Sequence, residues 1–256
     1  MKVMGIVNVT PDSFSDGGLH ASTDAAVNHA LALLDAGADI VDVGGESTRP
    51  GAVPVDEDTE LVRAIPVIER VRAAAPDAVI SIDTGKAGVA EAAADAGADL
   101  LNDVTASLEG TAARTGMGWI AMHGGGSAPH ASAAVDIVDS VAAFLEDVRA
   151  RGRRAGVEDV WIDPGIGFGK TVDQNLELIA NLDRFVEVAP TLLAVSRKRT
   201  MGVLHARSDG RAEPTGPDDR LEATLAIGTW GAFSGVDIVR VHDVRATVHA
   251  LGVIPR

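Results

Sequence analysis

The 256-residue sequence contains no cysteine and no tyrosine, and aromatic residues make up only 3% of it. The absence of cysteine excludes disulfides, thiolate metal sites and cysteine nucleophiles. Hydrophobic residues nevertheless make up 46% of the chain. The core must therefore be filled mainly by Ala, Val, Ile and Leu, as in folds built around a buried parallel sheet.

Positive charge is also scarce. Lys and Arg number 22 against 37 Asp and Glu, which gives a formal net charge of −15. A strongly acidic chain without a basic patch is a poor binder of nucleic acid, so we expect no such partner. If the ligand is an anion, the few basic residues must be concentrated at its site.

Long apolar runs are missing as well. No stretch approaches the length of a membrane span, so we expect no membrane partner. The N-terminal segment MKVMGIVNVTPDSFSDGG lacks the apolar region and cleavage site of a signal peptide, and we expect a cytoplasmic protein. No linker or low-complexity segment divides the chain, which predicts one domain over residues 1–256.

Short segments rich in Val and Ile alternate with longer Ala-rich segments that have helical spacing of apolar residues. Eight such units in a chain of this length predict an α/β fold, the closed (β/α)8 TIM barrel. An open doubly wound sheet is the alternative, but its usual G-x-G-x-x-G turn after the first strand is absent. The predicted strands are 3–7, 39–43, 79–82, 99–101, 119–122, 160–162, 192–195 and 237–241, and the predicted helices are 24–36, 55–74, 86–96, 135–155, 173–188 and 218–234.

Polar residues follow nearly every predicted strand, at the end where TIM barrels carry their active sites. Any one of them is explained as readily by a helix cap or a turn. A whole ring of them predicts a ligand site, because side chains pointing into the barrel mouth need partners. The ring consists of Asn8, Asp42, Asp83, Asn102, Asp103, His123, Asp163, Ser196, Arg197, Lys198, Arg240 and His242.

The ring divides by charge into two chemical groups. Asp83, Asn102 and Asp163 offer acceptors for a flat heterocycle with several N–H donors, and Lys198 offers a donor to a ring carbonyl.

The cationic group is Arg240 and His242, together with Arg49 from the GGESTRP segment after the second strand, and it suits a phosphate or diphosphate. A salt bridge to Asp237 or Asp243 is the alternative role for Arg240. The alternation of RVHDV places Arg240 and His242 on the same side of the strand, which favours joint use.

These strand-end segments together resemble the dihydropteroate synthase family over essentially the whole chain. The matching segments are GIVNVTPDSFSDGG, IVDVGGESTRPGA, SIDT, NDV, AMH, DPGIGFGKT, VSRK and RVHDV. The resemblance implies a transferase of folate biosynthesis and a sulfonamide target. Its reaction would join 6-hydroxymethyl-7,8-dihydropterin diphosphate to p-aminobenzoate, giving 7,8-dihydropteroate and diphosphate.

The resemblance also implies a role for each matching residue. The catalytic residues would be Lys198, Arg240 and His242. The pterin would be bound by Asp83, Asn102, Asp163, Lys198, Val104 and Phe168. The diphosphate would be bound by Arg49, Arg240 and His242. The p-aminobenzoate would be bound by Thr48, Pro50, Phe14 and Ser196.

Asn8 would help to hold Mg²⁺ near the diphosphate. Asp42 resembles a residue that either contacts the substrate at the end of its strand or supports the residues that do. The family is commonly a homodimer, with late barrel helices as the expected interface. Two alternatives remain open. One is a methyltetrahydrofolate-dependent methyltransferase, which would not need a diphosphate clamp. The other is a non-catalytic pterin-binding paralogue, which the unusual GGGS segment after His123 leaves open.

Overall fold

The structure is a computed structural model that describes residues 1–10, 18–47, 53–124 and 136–254, without the side chains of residues 18–21. Four residues with predicted roles, Phe14, Thr48, Arg49 and Pro50, lie outside the described residues. Across the described part of the chain, no helix is both long and apolar enough to cross a membrane.

Eight parallel strands form one sheet in the order β6-β5-β4-β3-β2-β1-β8-β7. The two end strands meet at a parallel bridge between Ile162 and Thr191, where the N–H of Ile162 donates to the carbonyl of Pro190 at 3.0 Å. The sheet is therefore a nearly closed barrel, and the TIM-barrel prediction is confirmed. The strands are β1 (Lys2–Asn8), β2 (Ile40–Gly44), β3 (Val79–Asp83), β4 (Leu100–Asp103), β5 (Gly118–Met122), β6 (Val160–Asp163), β7 (Leu192–Ala194) and β8 (Ile238–Val241).

Helices lie between the strands and surround the barrel. One prediction is wrong in detail, because the segment 173–188 forms two helices that meet at Asn181, where φ is −117°. Three further helices were not predicted: Glu109–Thr115, Arg199–Ser208 and Val244–Gly252. The helices are α1 (Gly18–Asp35), α2 (Glu57–Ala74), α3 (Ala87–Asp95), α4 (Glu109–Thr115), α5 (Ile137–Ala155), α6 (Val172–Ala180), α7 (Leu182–Val186), α8 (Arg199–Ser208), α9 (Leu221–Phe233) and α10 (Val244–Gly252).

Aspartate side chains form hydrogen bonds to the backbone of neighbouring strands at the N-terminal end of the barrel. The Asp39 carboxylate accepts the N–H of Val3 at 2.7 Å, and the Asp99 carboxylate accepts that of Ile80 at 2.8 Å. Both follow Ala-Gly-Ala turns, in which Gly37 has a φ of +98°. At this end of a TIM barrel polar residues serve stability, whereas the opposite end carries function.

The inside of the barrel changes character along the strands. Ile40, Leu100 and Ile238 belong to one buried apolar cluster at the start of their strands. Side chains two residues apart in a strand lie on the same face. Asp42 and Arg240 therefore follow Ile40 and Ile238 on the inward face, as Asn102 follows Leu100. This apolar-to-charged change places the candidate site at the C-terminal ends of the strands.

Candidate active site

Arg240 forms the centre of the site. From β8 its guanidinium reaches across to two strands that are not its neighbours: Nε donates to Asp42 Oδ2 and Nη2 to Asp83 Oδ2, both at 2.6 Å. The alternative partners are engaged elsewhere, Asp237 by the N–H of Thr191 and Asp243 by Arg197. Arg240 therefore does form salt bridges, as in the alternative role given to it above. Its partners, however, are carboxylates that are distant in sequence and lie inside the mouth.

Asn102 and Asp103 are adjacent in β4 but take opposite roles. Asn102 Nδ2 donates to Asp42 Oδ2 at 3.0 Å, so its side chain joins the Arg240 network. Asp103 instead accepts from the backbone N–H groups of the following turn and from Trp119 Nε1 at 3.1 Å. Asp103 is therefore a structural residue of the ring, whereas Asn102 belongs to the site.

A second group of site residues surrounds Asp163 at the end of β6. Asp163 is buried, and its Oδ1 accepts the N–H of Gly165 at 2.7 Å. Lys198 Nζ donates to the carbonyl of Ile166 at 2.6 Å and lies 4.6 Å from the centre of the Phe168 ring. The ammonium thus rests on an aromatic face, an arrangement that stabilises a cation. Phe168 and Lys198 form one wall beside the Asp163 carboxylate.

Electrostatic contact joins the two groups. Burial is the main cause that raises the pKa of Asp163, while Lys198 and, more weakly, Arg240 lower it. Burial also raises the pKa of Asp83 to about 7, against the opposing effect of Arg240. Burial lowers the pKa of Lys198 to about 8. The carboxyl ends of the parallel strands lie at one end of the nearly closed barrel, so Asp163, Arg240 and Lys198 share one mouth. Burial in this mouth shifts the pKa values of Asp83 and Lys198 toward neutrality.

Lys170 belongs to the site region, although no role was predicted for it. Its Nζ donates to the carbonyls of Gly165 at 3.0 Å, Phe168 at 3.2 Å and His123 at 3.3 Å. These bonds fix the turn after β6, which carries Phe168 and the carbonyl that holds Lys198. The signal that could have found it is the GIGFGK string, because three glycines in a short turn leave backbone carbonyls converging on one donor.

The remaining predicted residues line the rim. Ser196 follows β7, and its Oγ lies 3.0 Å from His242 Nδ1 and accepts the N–H of His242 at 3.1 Å. Ser196 therefore orients His242 at the end of β8. Asn8 ends β1 opposite Gly44, and half-buried Val104 follows β4.

Comparison with known proteins agrees with this arrangement. The profile of the pterin-binding enzyme family matches residues 4–242. Dihydropteroate synthase of Mycobacterium leprae is 44% identical, over 99% of this chain and 92% of that protein. The chain belongs to the dihydropteroate synthase family. Family membership favours the synthase prediction over the methyltransferase and the non-catalytic paralogue, and identifies the chain as a transferase of folate biosynthesis.

Solved structures of this family have the same fold. A dihydropteroate synthase of Xanthomonas albilineans with 4-aminobenzoic acid is 42% identical with a TM-score of 0.89, covering 99% of this chain and 94% of that one. The same protein in complex with 7,8-dihydropteroate is 40% identical with a TM-score of 0.84 and equal coverage, 99% and 94%. The family likeness therefore extends over the whole barrel.

Proposed function

We propose that this chain, acting in the cytoplasm, uses its strand-end mouth to make 7,8-dihydropteroate from p-aminobenzoate and 6-hydroxymethyl-7,8-dihydropterin diphosphate. The observation that carries the proposal is the juxtaposition of Arg240 with Asp83 and Asn102 on one side and Asp163 with Lys198 on the other. One mouth thus offers acceptors for a nitrogen heterocycle and a cation for its phosphorylated tail.

The pterin ring fits the acceptor side. Asp163 and Asp83 would accept from the amino and N–H groups of the ring edge, and Asn102 would add a third polar contact. Lys198 would donate to the ring carbonyl from its place on the Phe168 face. Val104 and Phe168 would form apolar walls that exclude water, which strengthens each of these hydrogen bonds.

The diphosphate tail fits the cationic side. A guanidinium presents parallel donors that match phosphate oxygens, so Arg240 would bind the leaving group together with His242 and Arg49. The p-aminobenzoate nitrogen would attack the methylene carbon. The C–O bond would break with its electron pair leaving on the diphosphate, and the amine would then lose one proton. Charge that develops on the leaving oxygen would be stabilised by these donors, and this is where the reaction needs catalysis.

We further propose a Mg²⁺ ion that is held mainly by the diphosphate substrate. Within the described ranges no group of three or more Asp, Glu or His side chains could hold a metal ion. Mg²⁺ commonly keeps several waters and binds through few protein oxygens together with phosphates. We therefore propose Asn8, at the end of β1, as the protein ligand. When bound, the ion would neutralise negative charge on the diphosphate.

For p-aminobenzoate we propose a site formed by Ser196 with Thr48, Pro50 and Phe14, of which the last three lie outside the described residues. Ser196 supports this assignment because it borders His242 at the mouth. A sulfonamide, which has the same aniline group, would compete for this site.

We also propose that the chain forms a homodimer through α9. Phe233 and Trp230 lie one turn apart on this late helix, and 67% and 48% of their surfaces are exposed. The indole N–H of Trp230 donates to the carbonyl of Ile179, and the exposed remainder of the ring lies beside Phe233 on the same helix. An exposed aromatic pair is typical of an interface.

The test of the function is an assay of diphosphate release. Release should require both substrates and Mg²⁺, and 7,8-dihydropteroate should form in equal amount. Replacing Arg240 with Ala should weaken binding of the diphosphate substrate by about 2–5 kcal/mol, because a charge-assisted contact is lost. Diphosphate release without p-aminobenzoate, or unchanged affinity in the Arg240→Ala variant, would contradict the proposal.

A further inference from the structure

Asp42 lies next to Arg240 in the site, but none of its surface is exposed to a ligand. The residue is fully buried inside the barrel on β2, whereas the side chain of Arg240 is 15% exposed. A single carboxylate oxygen, Oδ2, accepts both from Arg240 Nε at 2.6 Å and from Asn102 Nδ2 at 3.0 Å. Asp42 therefore contacts two groups to which the proposed function assigns substrate contacts, and is itself shielded by them.

We propose that Asp42 is a positioning residue that holds the ring-binding amide of Asn102 and the tail-binding guanidinium of Arg240 on one oxygen. The inference rests on the proposed function, which assigns the ring to Asn102 and the diphosphate tail to Arg240. It assigns to Asp42 an action through other residues rather than a direct contact with substrate.

The contact with Asn102 fixes which atom of the amide is presented. A carboxylate accepts hydrogen bonds and does not donate them, so it holds the amide nitrogen and leaves the amide oxygen to face away. Asn102 is 95% buried, with a relative exposure of 5%, and its side chain has little other room. Asn102 would therefore present an acceptor to an N–H of the ring.

The contact with Arg240 keeps the guanidinium in place when Asp83 is needed elsewhere. Arg240 Nη2 occupies Oδ2 of Asp83, the carboxylate to which the proposed function assigns a ring N–H. Because Asp42 holds Nε, Arg240 can yield Asp83 to the ring and still remain in the mouth with its Nη groups directed to an anion. Without Asp42, Asp83 would be the main counter-charge, and the guanidinium would compete with the ring for it.

The experiment compares three variants of the full-length chain by isothermal titration with two probes, 6-hydroxymethyl-7,8-dihydropterin and inorganic diphosphate with Mg²⁺. Asp42→Ala should weaken binding of both probes by at least about tenfold, because bonds to charged groups are lost. Asp42→Asn keeps an acceptor but loses the charge, so it should weaken diphosphate binding less.

Ser81→Ala is the matched control. Ser81 pairs in register with Asp42 on the neighbouring strand, and its Oγ is buried without a hydrogen-bond partner among the described residues. The variant removes a buried polar atom at the same level of the barrel without touching the network. Both probes should bind it as they bind the wild type.

The stoichiometry separates positioning from mere stability. A purely structural role for Asp42 would reduce the number of binding sites per chain at an unchanged dissociation constant, and that result would overturn the inference. If Asp42→Ala does not fold, the test is made with Asp42→Asn. An affinity for diphosphate equal to that of the wild type in Asp42→Asn would also overturn the inference. Failure of the wild type to bind either probe would count against the proposed function itself.

Discussion

At the residue scale, burial sets the charge states that the proposed binding requires. Asp83 and Lys198 are opposite charges in one buried mouth, and burial moves the pKa of each toward neutrality, to about 7 and about 8. A ring N–H needs Asp83 as a carboxylate, and a ring carbonyl needs Lys198 as an ammonium. Both forms predominate together only in a narrow range of pH.

The value of kcat/KM for the pterin substrate should therefore rise as the pH increases through about 7 and fall above about 8. The acidic limb reports loss of the Asp83 proton and the alkaline limb loss of the Lys198 proton. Initial rates at limiting pterin substrate, from about pH 6 to about pH 9, would measure the profile.

Lys198→Met provides the control for the alkaline limb. Lys170 also has a pKa lowered by burial to about 8, but its described bonds go to backbone carbonyls. If Lys198 is responsible, the alkaline limb should disappear in Lys198→Met, although the activity that remains would be low. An alkaline limb that persists in this variant would contradict the assignment.

At the element scale, the turn after β6 holds two of the proposed pterin-binding groups, Asp163 and Lys198, through its backbone. Gly165 donates its N–H to Asp163, and the carbonyl of Ile166 holds Lys198. Gly165 has a φ of +67°, and a Cβ built there would lie 1.7 Å from the carbonyl oxygen of His123. Only glycine fits this position without moving the turn away from β5.

Gly165→Ala should therefore destabilise the fold and weaken pterin binding together. The left-handed conformation costs about 1–2 kcal/mol for a side-chain-bearing residue, and the clash adds to that cost. We expect a loss of at least about 3 kcal/mol in the free energy of unfolding, measured by chemical denaturation. Pterin affinity should fall as well, because Asp163 and Lys198 are both tied to this turn.

Gly210→Ala is the matched comparison. Gly210 has nearly the same φ, +69°, but a Cβ there would meet nothing within 4 Å. Its replacement should cost only the conformational part, about 1–2 kcal/mol, and leave pterin binding unchanged. Equal losses of stability in the two variants would show that the clash of the added Cβ with the carbonyl oxygen of His123 does not contribute.

At the scale of the whole molecule, the sequence predicted the architecture because each unit repeats a local signal, but it could not predict contacts across the barrel. For Arg240 the sequence suggested as alternative partners only Asp237 and Asp243, its neighbours in sequence. Its partners, Asp42 and Asp83, lie on β2 and β3, and only the closure of the sheet brings them near β8. Short α4 was missed because its length, 7 residues, is too short for a helical period to stand out.

The proposed dimer is also a property of the whole molecule, and it would be tested at the aromatic pair of α9. Phe233→Asp places a charge on the exposed face and should weaken self-association by at least about tenfold in dissociation constant, because aromatic anchors dominate interfaces. Val62→Asp is the control, since Val62 is 51% exposed on α2, well apart in the barrel order. Sedimentation equilibrium should show a dimer for the wild type and for Val62→Asp and a shift toward monomer for Phe233→Asp. Since the described site residues belong to one chain, the monomeric variant should still bind pterin, and a loss of pterin binding on dissociation would mean that the mouth depends on the partner subunit.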